Sequence, residues 1–189
     1  PALSYAAAPL NAEQSNPLQQ GWMIGFPPAV DKTIRFTDVD YFAFPKLRWT
    51  VCHFQQLMPT MAVDNGPRPA PLMPSALNKG IDNVTFTPLN STTPMTWKDS
   101  LAANYTDGII VLHHGQVVYE HYDGCLTQRG QHAAMSVTKS LTGLLGETLV
   151  ADGVLDENAL VGDLIPELKN SAFADATVRQ VLNMTTALD

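Results

Sequence analysis

Ala133-Ala-Met-Ser-Val-Thr-Lys-Ser-Leu-Thr-Gly-Leu-Leu-Gly146 is the stretch on which the reading of this chain turns. From Ser136 onward, Val137, Leu141, Leu144, Leu145, Leu149 and Val150 fall at offsets that share one face of a helix. Asp152-Gly153 supplies a C-terminal stop. At the start of that helix stands Ser136-x-x-Lys139. In one reading Ser136 caps the helix and Lys139 points to solvent. In the other, Ser136 is a nucleophile and Lys139 its proton acceptor. Positions i and i+3 share a helix face, so the amine and the hydroxyl can meet. The Ser136 N–H lies among the unpaired donors of a helix N-terminus and can face a developing oxyanion. A serine needs a base near neutral pH. A lysine serves only if its pKa falls by about three units, roughly 4 kcal/mol of differential stabilisation. The apolar flanks Ala133, Ala134, Met135 and Val137 are compatible with the burial this requires.

Upstream, Gly108-Ile-Ile-Val-Leu-His113 is an apolar, β-branched run and Val117-Val-Tyr-Glu-His-Tyr122 is a second. His114-Gly115-Gln116 punctuates them, so 108–122 predicts a β-hairpin. Tyr119 and Tyr122 are read as packing on that sheet. Residues 97–104 predict a short helix, and 177–184 another with Thr177 as its N-cap. Leu47, Val51, Phe54, Leu57 and Met58 have helical spacing, and Pro59 stops it. Residues 154–169 carry a short apolar turn, then Leu160, Val161, Leu164 and Ile165 before Pro166. Thirteen of the fourteen prolines precede residue 100, and residues 64–96 show no sustained period. The class is α+β. The divisions are a loop-rich, extended arm over 1–45, an α/β portion with the serine-bearing helix over 46–153, and the beginning of an all-α part over 154–189.

A chain of 189 residues with 45% hydrophobic and 15% charged side chains has enough apolar material to fold. Its net charge of −7, with 11 Lys plus Arg and no basic run, speaks against a nucleic-acid partner. No apolar stretch is long enough for a membrane span. The chain opens Pro1-Ala2-Leu3-Ser4; a removed export signal fits this start and leans the localisation, otherwise unknown, toward periplasmic or secreted. Cys52 and Cys125 are open to two readings, buried small hydrophobes or one disulfide. Neither they nor His53, His113, His114, His121 and His132 show metal-ligand spacing. Asp152, Asp156, Glu157 and Asp163 lack the alternation and glycine of a calcium loop. No metal and no cofactor is expected.

Taken together, Met135-Ser-Val-Thr-Lys-Ser140, the apolar helix after it and Asp107-Gly-Ile-Ile-Val-Leu-His-His-Gly-Gln-Val-Val-Tyr-Glu120 resemble the serine β-lactamase/penicillin-binding-protein superfamily. Within it they are most similar to the class C-like branch of 6-aminohexanoate-dimer (nylon-oligomer) hydrolases and esterases. Val161-Gly-Asp-Leu-Ile-Pro-Glu-Leu168, Val178 to Leu188, Arg48-Trp49 and Leu57-Met-Pro-Thr60 add to the likeness, which covers roughly 46–189. The resemblance implies a β-lactamase/transpeptidase-like fold, with an antiparallel sheet flanked by helices. It also implies hydrolysis of a small-molecule amide or ester through an acyl-enzyme on Ser136, with Lys139 as the proton acceptor. Alternatives are a β-lactamase or D-alanyl peptidase, and a catalytically inactive penicillin-binding-like protein. Met135 stands where many class C β-lactamases carry glycine, which favours the first reading. The family further uses a Tyr-x-Asn tyrosine and a Lys-Thr-Gly-like strand. Neither follows Lys139, and no tyrosine lies beyond Tyr122. The resemblance therefore implies that this is the N-terminal part of a hydrolase. A C-terminal polypeptide of the same protein would then supply the tyrosine.

Overall fold

Short elements follow from the proline-rich first half. The computed structural model describes residues 9–63, 66–67, 71–74 and 79–187. They fall in two compact units, Pro1–Ala133 and Ala134–Asp189. In the first, helix α1 spans Pro17–Gln20, with Pro17 at its start, the Asn16 side chain accepting from Leu18 N–H, and Gly21 closing it at φ 69°. After a 3₁₀ turn at Val30–Lys32 come α2 (Leu47–Thr50) and α3 (Phe54–Leu57). The apolar spacing of 47–58 predicts one helix; two single turns form instead. Cys52 is disulfide-bonded, and the Val51 carbonyl accepts from Ala133 N–H at 2.7 Å rather than from the next helical turn.

Residues 9–45 pack in part against the rest of their own unit, while Phe26, one of the aromatics that suggested such packing, stays exposed. Ser15 and Ile34 are buried. Rings run in sequence from Phe36 to Tyr41, Phe42 and Phe54. Thr50 Oγ1 donates to Tyr41 O at 2.6 Å. The buried Arg48 donates from Nη1 to Ala12 O at 2.6 Å and to Ser15 Oγ at 3.0 Å, and from Nη2 to Asp107 Oδ1 at 2.8 Å. Removing either ion of such a buried pair would leave its partner uncompensated.

Strands β1 (Met73–Pro74), β2 (Thr85–Phe86) and β3 (Met95–Thr96) are two residues each. Helix α4, Trp97–Ala103, carries a capping box in which Thr96 and Asp99 exchange bonds. Then come β4 (Gly108–His113) and β5 (Gln116–Tyr122), antiparallel from Gly108↔Tyr122 to His113↔Gln116. The loop between them is His114-Gly115, at φ 50° and 76°; two successive left-handed residues give the turn that matches strand twist. Gln116, read as part of the turn, begins β5 instead. The register shifts between Val111 and Leu112, leaving Val118 as the additional residue of a bulge. β1 joins β5 in parallel, giving the order β1-β5-β4. Val117 and Tyr119 face the core with Trp49, Val51 and Leu101. Tyr119 meets Trp97 edge-on and donates to Asp82 at 2.7 Å, so the packing role read from sequence holds. Burial, and then the hydrogen bond to Asp82, push its phenol above the ordinary tyrosine pKa.

Cys52 and Cys125 form a disulfide across a separation of 73 residues, which settles the open alternative. Closing a loop of that length removes about 4 kcal/mol of unfolded-state freedom on the chain-entropy account. Urea unfolding with and without reductant should show that loss; an unchanged midpoint would contradict it.

The second unit contains α5 (Val137–Ala151), α6 (Val161–Leu164), a 3₁₀ turn at Pro166–Leu168, and α7 (Val178–Leu182). The Asp152-Gly153 stop forms as read. Gly153 sits at φ 70°, its N–H bonds Val150 O, and Val154 N–H bonds Leu149 O, a Schellman ending. Thr177 caps α7 with Gln180 reciprocating, also as read. Val161, Ala176 and Val178 form this unit's small core. Gly146 permits close approach of α5 and α7: a Cβ there would stand 2.9 Å from Leu182 Cδ2. Among the described residues no helix is long and apolar enough to cross a membrane.

Candidate active site

Three consecutive residues set up the start of α5. Met135 holds a left-handed φ of 47°, a conformation that costs a non-glycine residue about 1 kcal/mol or more. Ser136 follows with φ −70° and ψ −8°, already right-handed helical. An N-cap side chain normally reaches back from an extended backbone. From a helical one it does not, and the Ser136 side chain makes no capping bond. The backbone turns inward through Val137 N–H to Ala134 O, Thr138 N–H to Met135 O and Lys139 N–H to Ser136 O, at 3.0, 3.1 and 3.0 Å.

The hydroxyl is thereby left to the lysine. Lys139 Nζ lies 3.2 Å from Ser136 Oγ, donating to it in its charged form. The i, i+3 placement predicted from sequence brings the two groups together, and the capping reading of Ser136 is not what forms. A neutral amine at that distance could take the hydroxyl proton. The Ser136 N–H donates to no backbone carbonyl among the described residues.

Burial departs from expectation. Ser136, Lys139, Ala134, Met135 and Val137 are all exposed, and α5 has no buried residue. The face predicted to be apolar is apolar but uncovered over its first half, with Val137 at 64%, Leu141 at 65%, Leu144 at 65% and Leu145 at 60% exposure, while Leu149 and Val150 are half-buried. Periodicity reports which face wants cover; it does not supply the cover.

The far end of α5 is held by charge that sequence reading missed. Arg179 of α7 bonds both carboxylate oxygens of Glu147, one of them at 3.1 Å, and Glu157 Oε2 at 2.6 Å. The bonds to these two carboxylates, Glu147's first, raise the guanidinium's pKa further above its ordinary value. Glu157 is thus an ion-pair partner as well as a half-exposed acid. A separation of 32 residues between Glu147 and Arg179 gave no local signal.

Among the histidines, His132 stands beside the buried pair of the first unit, with Nε2 3.2 Å from Asp107 Oδ2. His113 and His114 meet each other edge-on beside the hairpin turn.

Comparison with known proteins shows what the chain is similar to. Residues 100–189 match the family model described as Beta-lactamase. The 6-aminohexanoate-dimer hydrolase of Paenarthrobacter ureafaciens is 30% identical over 145 residues, covering 77% of this chain and 35% of that protein. A solved structure from Bacillus anthracis, assigned as a 6-aminohexanoate-dimer hydrolase, superposes with a TM-score of 0.69 at 28% identity. That match covers 85% of this chain and 40% of the other. The chain therefore spans well under half the length of these relatives. Its α+β architecture is the β-lactamase-like one, and residues 100–189 carry the likeness to the β-lactamase family.

Proposed function

We propose that this chain carries the nucleophile and the proton acceptor of a serine hydrolase that cleaves small amides or esters. The observation that carries the proposal is the 3.2 Å approach of Lys139 Nζ to a Ser136 Oγ released from helix capping. In the reaction, Ser136 Oγ attacks the carbonyl carbon as its proton passes to neutral Lys139 Nζ. The oxyanion of the tetrahedral intermediate faces the Ser136 N–H. Collapse expels the amine or alcohol, which takes the proton from Lys139. Water then attacks the acyl-enzyme and releases the acid, regenerating Ser136. A lysine is a base only when desolvated. The proposal therefore includes cover for α5, from a further polypeptide that also supplies the tyrosine and the second oxyanion donor.

The names of the two relatives point to a linear amide of 6-aminohexanoate as one substrate. Met135, in place of a glycine before the serine, favours amidase or esterase action over β-lactam turnover. A panel of the 6-aminohexanoate linear dimer, a short-chain nitrophenyl ester and a chromogenic cephalosporin tests this. Turnover of the dimer or the ester well above the cephalosporin is the expected outcome. A cephalosporin rate comparable to the ester would move the assignment to the β-lactamases. Binding of ligands with no turnover of any of the three would move it to the inactive penicillin-binding-like proteins.

A further inference from the structure

The first unit brings together four groups that the hydrolase reading does not use. Cys52 and Cys125 are half-buried and joined. A ring nitrogen of His132 lies within 4.8 Å of both sulfurs. Asp107 Oδ2 lies 4.0 Å from Cys125 Sγ and 3.2 Å from His132 Nε2. Their sequence positions hide this: residues 52, 107, 125 and 132 form no ligand motif, and only the fold gathers them.

We propose that reduction of the Cys52–Cys125 disulfide converts this cluster into a site for a zinc-class divalent cation, with Cys52, Cys125, His132 and Asp107 as its four ligands.

Two thiolates, one imidazole and one carboxylate form a donor set suited to tetrahedral zinc, whose bonds of about 2.0–2.3 Å place ligand atoms about 3.3–3.8 Å apart. The Cα atoms of the cysteines are 6.0 Å apart, so side-chain rotation alone can open the sulfurs to that spacing. The surrounding shell is already in place. His132 Nδ1 lies 3.0 Å from Ala133 O, and an N–H donated there leaves the Nε2 lone pair, on the Asp107 side, for the metal. Arg48 Nη2 bonds Asp107 Oδ1, which fixes the carboxylate and leaves Oδ2 as the ligand atom. Two thiolates, the carboxylate, the guanidinium and a divalent cation sum to zero charge. Gly124 keeps the carboxylate's space clear, since a Cβ there would fall 2.1 Å from Asp107 Oδ1. Access is through a cavity of about 370 Å³ whose walls include Cys52, His132, Gln55 and Gln131.

The conversion balances with an external dithiol. Its thiolate attacks Cys52 Sγ from the cavity, and Cys125 leaves as a thiolate. The dithiol's second sulfur then displaces Cys52 and closes as a disulfide, so two electrons pass to the protein. Metal binding releases to water whatever protons the two thiols still carry.

The test reduces the natively purified protein with a phosphine, removes the phosphine without oxygen, and titrates with Co²⁺ and then Zn²⁺. The expected result is one Co²⁺ per chain, with tetrahedral ligand-field bands and thiolate-to-cobalt charge transfer, displaced by one Zn²⁺. The unreduced protein should bind at least about 100-fold more weakly, lacking both thiolates. H132A should lose about 10-fold or more in affinity and change the ligand-field bands, while its disulfide form melts like the parent. If reduction unfolds the chain, zinc should restore its circular dichroism. No binding after reduction, equal binding before it, an unaltered H132A spectrum, or a reduced chain that zinc fails to refold would each overturn the proposal.

Discussion

Ser136→Ala is expected to lower kcat by roughly 10⁴- to 10⁶-fold on whichever amide or ester the protein turns over, leaving only what binding and oxyanion contacts supply. The size follows from the mechanism. Without Oγ no acyl-enzyme forms, and a route through direct water attack has neither the nucleophile nor its positioned proton acceptor. The fold should tolerate the change. Ser136 is exposed and makes no capping bond, so alanine leaves no buried polar group unpaired. A thermal melt close to the parent's, alongside the lost rate, separates chemistry from folding. A variant retaining a tenth of the parent kcat would show that Ser136 is not the nucleophile.

Lys139 is the second position of large effect. Lys139→Arg keeps the positive charge and much of the side-chain length, but a guanidinium does not lose its proton in a protein. If the amine acts only as a charge, arginine should preserve most of the rate. If it takes the Ser136 proton, arginine should be nearly as damaging as alanine, with a loss of about 10²- to 10⁴-fold in kcat. The double variant Ser136→Ala/Lys139→Arg should then be no worse than Ser136→Ala alone, because the two residues act as one unit. An additive double variant would contradict that coupling, and so would a fully active Lys139→Arg.

What sequence made legible in this chain was local. The β4–β5 hairpin, the Thr177 cap and the Gly153 stop are each written in a few adjacent residues: a turn between two apolar runs, a threonine before a short helix, a glycine past an apolar helix; the Thr96–Asp99 box, equally local, went unread. Ser136 and Lys139 were legible for the same reason, since three residues of helix bring them together. The long-range pairs were not. Cys52 with Cys125, Arg48 with Asp107 and Arg179 with Glu147 join positions 73, 59 and 32 residues apart, and nothing in the intervening chain marks them. The parallel pairing of β1 with β5 was equally hidden, because two residues carry no period. The helix read over 47–58 failed for a tertiary reason: the Val51 carbonyl serves Ala133 and Cys52 serves the disulfide, so the apolar spacing is split between two turns. The exposed face of α5 teaches the complementary lesson. Val137, Leu141, Leu144 and Leu145 mark a surface that calls for cover, yet its pattern does not name what supplies it.

The central claim is that a carbonyl carbon becomes bonded to Ser136 Oγ, assisted by Lys139. Its most direct test is to quench the protein during turnover of an activated ester, digest it, and locate the acyl group by peptide mass spectrometry. The account predicts an acyl adduct on Ser136, present in the parent, absent in Ser136→Ala and much diminished in Lys139→Arg. An adduct that maps to another residue, or turnover that proceeds with Ser136 unmodified under conditions that trap acyl-enzymes, would contradict it.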